Sequence, residues 1–269
     1  MKYIHIFIFL SCCQSLYSQL LKGKTLNEQG QSIEYVNISI IGTNKGTISD
    51  KEGNFVLNIS NLKPTDSLCF SHLNYHTKFL TIKEALAKEV VLTQREIELP
   101  AVEVQAKRPK LTTIRPMGMR VPNSTMFFKI REERENEVVA TAGDIITLKK
   151  DFIAKKFNMF CIKNTMQKAI LRLNFYKKEE NNLTPLIVKP IYIVLGPLNR
   201  ENVSEEFSVY LPKGKIWVEI DITEKEGDDG SEIVFPVSFS SGWERINDEF
   251  IKMPFGIGPS FSIEGYPSN

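Results

Sequence analysis

The stretch that decides the fold runs from residue 35 to residue 59 and reads YVNISIIGTNKGTISDKEGNFVLNI. In its first six residues every second side chain is apolar, and Phe55, Leu57 and Ile59 repeat this alternation at its end. Such alternation is typical of β-strands that place one face on a hydrophobic core. Glycine-containing turn segments separate the runs, as hairpins require. The stretch therefore predicts consecutive antiparallel β-strands.

The same pattern extends outward from this stretch, from residue 20 to about residue 93. Short alternating runs recur at a spacing that is typical of an antiparallel β-sandwich. The predicted strands cover residues 21–25, 35–40, 47–49, 54–59, 67–71, 78–82 and 90–92. We therefore expect a seven-stranded N-terminal module.

Two motifs in this module resemble the carboxypeptidase regulatory-like domain. They read Gly30-x-x-Ile33-x-x-Val36-Asn37-Ile38 and Gly42-Thr43-x-x-Gly46-Thr47-x-Ser49-Asp50-x-x-Gly53-Asn54-Phe55. The resemblance implies a transthyretin-like, Ig-like sandwich over residues 20–93, with Asp50 and Gly53 shaping a hairpin and Phe55 on the inner face. In this family the module accompanies peptidases, outer-membrane receptors and envelope proteins, and it has no catalytic activity of its own.

The N-terminus has the layout of a secretory signal peptide. Lys2 precedes an apolar run over residues 4–10, and small and polar residues follow up to Gln19. This layout predicts a signal peptide over residues 1–18 and an exported protein, located in the periplasm or at the outer membrane of a Gram-negative-type envelope. Cys12 and Cys13 offer an alternative, since a lipobox-like context there predicts a lipid anchor on one of them.

The rest of the chain divides into a linker and a second β domain. Prolines interrupt residues 94–123, which predicts a linker. From residue 124 to residue 269 the alternation returns, and it predicts a larger, jelly-roll-like β-sandwich, so that the whole chain is all-β. The nine predicted strands cover residues 126–130, 144–148, 158–162, 168–176, 191–195, 206–211, 215–222, 232–239 and 260–266.

Composition narrows the classes of function. The formal net charge is +2 for 269 residues, so the chain lacks the strong positive field of a nucleic-acid-binding protein. Beyond the leader no apolar run is long enough to predict a transmembrane span in the mature chain. Cys69 and Cys161 lie in apolar alternating runs of different modules, which predicts buried free thiols.

The residues that support common enzyme chemistry are missing from the sequence pattern. After the leader, His72 and His76 are the only histidines, and the residue three positions after His72 is a tyrosine rather than the glutamate of a zinc carboxypeptidase. No Gly-x-Ser-x-Gly motif and no phosphate-binding glycine loop occur. We therefore expect a non-catalytic protein without a cofactor.

Two features keep other functions open. Acidic residues crowd the segment from Asp221 to Glu232, which we interpret as a solvated hairpin. Oxygen-rich loops also suit calcium, so Asp228, Asp229 and Glu232 are weak metal candidates. Paired carboxylates such as Glu219 and Asp221 leave a carboxylate-based hydrolase as an alternative.

The second feature is aromatic. Trp217, Trp243 and Tyr210 are weak ligand-binding candidates, because aromatic rings on an outer face stack on sugars. Trp217 alternates with Ile216 and Val218, which places it on the opposite, less buried side of its strand. A carbohydrate-binding protein is therefore the alternative to our main hypothesis, a non-catalytic exported envelope protein whose partner is another envelope protein or a glycan.

Overall fold

The computed structural model describes most of the chain beyond the leader. The described residues are 20–43, 45–86, 89–96, 111–130, 136–138, 141–180, 182–240, 242–246 and 249–268. The predicted signal peptide, with Cys12 and Cys13, lies outside these residues, as do residues 97–110 of the predicted linker. No helix in the described part of the chain is long and apolar enough to span a membrane.

The N-terminal module contains the seven strands that the sequence predicts. They are β1 (Leu20–Asn27), β2 (Asn37–Ile40), β3 (Lys45–Ile48), β4 (Asn54–Asn58), β5 (Ser67–His72), β6 (Tyr75–Thr81) and β7 (Glu89–Leu92), with a short helix α1 (Ile82–Ala85) before β7. One sheet has the order β4-β1-β7, and the other contains β3-β2-β5-β6. Apolar side chains from both sheets form a single core between them.

The hairpin before β4 has the construction that the sequence motif implies. Asp50 accepts a hydrogen bond from the backbone N–H of Asn54 through Oδ1 at 2.7 Å. Gly53 has a φ of +80°, and a Cβ at this position would lie 2.7 Å from the carbonyl oxygen of Thr25. Phe55 is buried and packs edge-on against Phe70. The roles expected for these residues in the fold are confirmed.

The chain beyond residue 111 contains the remaining strands. They are β8 (Thr112–Arg115), β9 (Arg120–Lys129), β10 (Glu137–Val138), β11 (Thr141–Leu148), β12 (Phe152–Asn164), β13 (Lys168–Glu179), β14 (Asn182–Pro185), β15 (Ile191–Leu195), β16 (Leu198–Leu211), β17 (Gly214–Glu226), β18 (Glu232–Phe239), β19 (Gly242–Ile246), β20 (Glu249–Lys252), β21 (Ile257–Pro259) and β22 (Phe261–Pro267), with a 3₁₀ turn at Pro254–Gly256.

Two seven-stranded sheets build the C-terminal sandwich, so the prediction of an all-β chain is confirmed. The first sheet has the order β14-β13-β17-β11-β19-β20, with β15 also paired to β13. The second has the order β21-β18-β12-β22-β8, with β16 and β9 attached to β12 and β18. The inner faces of both sheets contribute the residues of a large apolar core. The strand β10 belongs to neither sheet, because it pairs with β3 of the N-terminal module.

The structure departs from the sequence prediction at the linker and at the acidic segment. We predicted residues 112–115 and 120–123 as linker. Residues 112–115 form β8, which pairs with β22, and residues 120–123 are the first part of β9. Residues 223–226, which we predicted as part of a solvated hairpin, continue strand β17 beyond its predicted end at residue 222. The alternation of Thr223 and Glu224 with apolar residues is too weak to mark this continuation, which cross-strand pairing with β13 supplies.

Candidate functional site

Polar side chains occupy the outer face of the sheet that contains β13 and β17. Leu171, Leu173 and Phe175 of β13 point into the sandwich core, so the residues between them face the opposite side. Arg172 lies directly across from Asp221, and Asn174 lies directly across from Glu219 in the register of the two strands. All four of these polar residues are buried. The N-terminal module contributes to covering this face, which removes it from solvent.

Arg172 is the residue that joins the two modules most directly. Its guanidinium makes a two-point ion pair with Asp221, with Nε–Oδ1 and Nη2–Oδ2 distances of 3.0 and 2.5 Å. It also donates to the carbonyl oxygen of Tyr35 at 2.7 Å and to the side-chain oxygen of Asn37 at 3.0 Å. Burial acts to lower the pKa of Arg172, but the adjacent carboxylate outweighs this and raises it. The arginine is therefore held as a cation between the modules.

Glu219 is the centre of the second part of this polar cluster. Its carboxylate accepts hydrogen bonds from Trp217 Nε1 at 3.0 Å, Arg245 Nε at 2.7 Å and Asn174 Nδ2 at 3.2 Å. Burial opposes the charge of Glu219, but Arg245 and these donors outweigh burial and lower its pKa. Glu219 is consequently ionised at neutral pH, and its charge is balanced by Arg245.

A cleft of about 450 Å³ lies at the junction of the two modules, above this cluster. We call it the junction cleft. Its lining comes from β2, β5, β6 and the turn between β5 and β6 in the N-terminal module, from Arg95 after β7, and from β13, β14, β17 and β19 in the C-terminal sandwich. The residues that line it are Asn37, Ser71, His72, Leu73, His76, Thr77, Arg95, Arg172, Asn174, Tyr176, Glu179, Asn182, Leu183, Thr184, Glu219 and Arg245.

His72 lies in the wall of the junction cleft in its neutral form. Burial, together with the nearby charge of Arg172, lowers the pKa of His72 to about 3. Its Nδ1 accepts a hydrogen bond from the backbone N–H of Asn74 at 3.2 Å, so Nε2 carries the proton of the neutral ring. The histidine can therefore donate a hydrogen bond to a ligand, whereas it is poorly suited to accept a proton at neutral pH.

The lining of the junction cleft is polar and close to balanced in charge. Arg172 and Arg245 each face a carboxylate, and Arg95 donates to the carbonyl oxygen of Leu183 at 3.2 Å. The amide oxygen of Asn174 is buried and has no hydrogen-bond partner among the described residues. This chemistry suits an uncharged ligand that offers hydrogen-bond donors and acceptors.

Trp217 does not form the outer platform that the sequence suggested. It does lie opposite Ile216 and Val218, as predicted, but it is completely buried. Phe250 packs edge-on against its indole with the ring centroids 5.0 Å apart. Gly143 makes room beneath the ring, since a Cβ at that position would lie 2.6 Å from it. The expectation that Trp217 is exposed for stacking is therefore wrong, because the side chain of Phe250, from strand β20 of the same sheet, packs against the indole.

The other two aromatic candidates lie in different surroundings. Trp243 is partly buried and packs against the sandwich core from β19. Tyr210 belongs to β16 in the opposite sheet, and its hydroxyl donates to Asp151 Oδ2 at 2.5 Å. Because Tyr210 and the two tryptophans belong to opposite sheets, the three candidates do not share one binding surface.

The acidic candidates are also separated. Asp221 belongs to the buried cluster, Glu232 pairs with Lys163 at 3.2 Å, and Asp228 and Asp229 lie exposed in the turn after β17. No group of three or more potential metal ligands occurs among the residues that the structure describes. His72 and His76 flank a turn, as predicted, and both line the junction cleft. Cys69 and Cys161 are buried thiols that form no disulfide, as predicted.

The ion pairs of Arg172 with Asp221 and of Arg245 with Glu219 were not predicted from the sequence. A signal was present for Arg172, because a cation between Leu171 and Leu173 lies on a strand that is otherwise apolar. Two acids at alternate positions of β17, Glu219 and Asp221, form the matching pattern. Opposite charges at alternate positions of two long strands indicate cross-strand ion pairs on one face.

Comparison with protein families agrees with the architecture of the N-terminal module. Its seven strands in two facing sheets define it as a small β-sandwich module. Residues 21–104 match the family model of the CarboxypepD_reg-like domain. The N-terminal module is therefore a carboxypeptidase regulatory-like domain, and the match extends beyond the end that we predicted at residue 93.

Comparisons with whole proteins give no further relative. No curated protein sequence matches this chain. Among solved structures, a clostridial cysteine protease, Cwp84 after propeptide cleavage, is 8% identical with a TM-score of 0.37, covering 94% of this chain and 66% of that one. The infectious bursal disease virus Gx strain is 12% identical with a TM-score of 0.29, covering 93% and 60%. The chain spans less than two thirds of either structure, and likenesses this weak carry no argument about function.

Proposed function

We propose that this chain is a non-catalytic protein of the bacterial cell envelope, in which two modules form one rigid binding unit. The observation that carries the proposal is the contact of Arg172. This residue bonds Asp221 of its own sheet and two groups of the carboxypeptidase regulatory-like domain in a buried setting. A buried cation with four hydrogen bonds fixes the orientation of both modules, and the junction cleft is held open between them.

Further contacts support a fixed junction. Tyr35 donates its hydroxyl proton to Glu224 Oε2 at 2.6 Å, and its ring packs edge-on against Tyr192. Asn58 and Asn136 exchange two hydrogen bonds, from backbone N–H to Oδ1 at 2.8 Å and from Nδ2 to backbone carbonyl at 2.7 Å. The modules are therefore joined on two sides, in addition to the pairing of β10 with β3.

The ligand of the proposed unit is an uncharged molecule that binds in the junction cleft. Arg172 and Arg245 of the lining each pair with a carboxylate, and Arg95 donates to a backbone carbonyl, so these three cations already have partners before a ligand binds. Both carboxylates that a hydrolase would use are held by arginines. A general acid must present its carboxyl group to a ligand, whereas Asp221, whose pKa burial raises, has both carboxylate oxygens held by Arg172, and the pKa of Glu219 is lowered. This geometry supports binding rather than hydrolysis.

A variant whose side chain fills the junction cleft tests the binding proposal. Thr184 is an exposed cleft residue, so Thr184→Trp fills the opening without touching the ion pairs. We expect thermal-shift screening of uncharged saccharides and short uncharged peptides to give ligands that stabilise the wild type and not this variant. Thr125→Trp, at an exposed position of β9, is the matched control and should bind normally. Equal binding by all three proteins would place the ligand elsewhere.

The envelope location needs a separate experiment. The leader predicts cleavage after Ser18, so the mature protein expressed in a Gram-negative host should begin at Gln19 and fractionate with the periplasm or the outer membrane. Intact mass spectrometry of the purified protein gives its mass, which identifies both the cleavage site and any lipid on Cys12 or Cys13. A cytoplasmic protein of full length would contradict this part of the proposal.

A further inference from the structure

Three exposed apolar side chains belong to neighbouring segments of the C-terminal sandwich. Phe255, Met119 and Phe239 are 90%, 73% and 50% exposed, and the first two exceed every other large apolar residue in the described part of the chain. We call these three residues the apolar tip. Burying them requires a partner, since they pack against nothing in their own fold that would remove them from water.

Backbone hydrogen bonds hold the three segments of the tip together. The N–H of Phe239 donates to the carbonyl oxygen of Met119 at 3.0 Å, and the N–H of Ser240 donates to that of Gly256 at 2.8 Å. Phe255 has a φ of +57°, in the left-handed region that a phenylalanine occupies only at a cost. This strained backbone places the aromatic side chain of Phe255 in solvent, where the ring adds almost no buried apolar surface to the fold.

The segments that carry the tip contain cations and no acidic residue. Residues 117–121, 238–240 and 252–258 contain Arg120 and Lys252 and no acidic residue. Both cations are exposed. Apolar side chains that project between cations match the boundary of a lipid bilayer, where rings and methyl groups enter the acyl region and cations meet anionic headgroups.

We propose that the apolar tip binds the surface of a membrane that contains anionic lipids, with the ring of Phe255 inserted at the headgroup boundary. This contact would orient the sandwich on the membrane independently of any lipid on the leader cysteines. It does not depend on the junction cleft, so either proposal can fail without the other.

Sedimentation of the purified mature chain with lipid vesicles tests the proposal. We expect the wild type to bind vesicles of phosphatidylcholine mixed with phosphatidylglycerol. The double variant Phe255→Ser/Met119→Ser should bind at least about tenfold more weakly, as expected when the apolar contact of two large side chains is lost. The control Phe79→Ser/Val194→Ser changes two other exposed apolar residues and should bind as the wild type does. Circular dichroism checks that each variant is folded.

The charge requirement gives a second arm. Arg120→Gln/Lys252→Gln should lose the preference for phosphatidylglycerol over pure phosphatidylcholine while it keeps the β-rich circular-dichroism spectrum. The proposal is overturned if the wild type does not sediment with either vesicle, or if the tip variant and the control lose binding equally. It is also overturned if light scattering shows a wild-type dimer that Phe255→Ser dissociates, because the tip would then be a contact between two copies.

Discussion

The two modules of this chain bury different kinds of side chain. The core of the carboxypeptidase regulatory-like domain is a cluster of apolar residues, and its shape follows from the alternation visible in the sequence. The C-terminal sandwich has an apolar core as well, but its sheet of β13 and β17 also buries Arg172, Asp221 and Glu219 on the outer face. This outer face is removed from solvent by contacts with the other module at Arg172 and by the side chain of Phe250, which packs against Trp217.

The largest expected effect concerns the charge that joins the modules. Arg172→Met keeps most of the side-chain volume but leaves Asp221 buried without its partner, which costs about 3–5 kcal/mol of unfolding free energy. Denaturant titration measures this loss. Lys163→Met is the matched control, since its ion pair with Glu232 is partly exposed and should be worth less than about 1 kcal/mol.

The double variant Arg172→Met/Asp221→Leu sharpens the same comparison. Removing both charges leaves no unpaired ion, so much of the lost stability should return. If the single variant loses less than about 1 kcal/mol, the ion pair does not have the buried character that we assign to it.

The covered outer face also predicts a steric effect at Gly143. An alanine Cβ would lie 2.0 Å from the carbonyl oxygen of Val218 and 2.6 Å from the ring of Trp217. We expect Gly143→Ala to destabilise the chain by about 1–3 kcal/mol through overpacking. Gly196→Ala is the control, because nothing lies within 4 Å of a Cβ there. Thermal unfolding of the two variants compares them directly, and equal midpoints would mean that the indole is not confined.

The junction predicts a dependence of stability on pH through His72. The unfolded chain binds a proton at this residue near its ordinary pKa of about 6.5, whereas the folded chain does so only near its lowered pKa of about 3. Between these values the unfolded state binds more protons, so stability falls as the pH falls. We expect a loss of roughly 1–2 kcal/mol between pH 7 and pH 5, measured by denaturant titration.

A substitution separates this titration from that of other groups. His72→Gln should remove most of the loss between pH 7 and pH 5, whereas His76→Gln, at an exposed position, should leave it unchanged. An unchanged pH profile in His72→Gln would show that the histidine is not desolvated at the junction.

The smallest expected effect comes from a single hydroxyl at the junction. Tyr35→Phe removes the hydrogen bond to Glu224 and should cost about 0.5–1.5 kcal/mol. Tyr210→Phe is the control, because its hydroxyl bonds Asp151 within the C-terminal sandwich. Both variants should lose similar stability in denaturant titration, but only Tyr35→Phe should increase proteolytic cleavage between the modules. Equal cleavage of both would contradict a role for Tyr35 in docking.

Strand alternation was sufficient to predict most of the fold. The seven strands of the first module and the limits of β15 and β18 agree with the prediction. Six strands that follow the first module were not predicted, and all six are short. They are β8, β10, β14, β19, β20 and β21. Their sequences are polar or contain glycine and proline, and their extended shape depends on pairing with longer neighbours. Pairing between distant strands is not visible in a local pattern.

The candidate site was harder to predict, for a related reason. The alternation of β17 correctly placed Trp217, Glu219 and Asp221 on one face of the strand. It contained no information about what covers that face, because the covering groups are a separate module and the side chain of Phe250, which lies on a strand distant along the chain. Exposure was therefore assigned where the structure shows burial, and the arginines that balance Glu219 and Asp221 were missed as part of a site.

Differential scanning calorimetry of the mature chain tests the central claim most directly. If the buried charge of Arg172 fixes the two modules as one unit, the wild type will unfold in a single transition whose calorimetric and van't Hoff enthalpies agree. Arg172→Met will then show two separate transitions. Two independent transitions in the wild type would contradict the account, because the modules would then fold and bind as separate bodies.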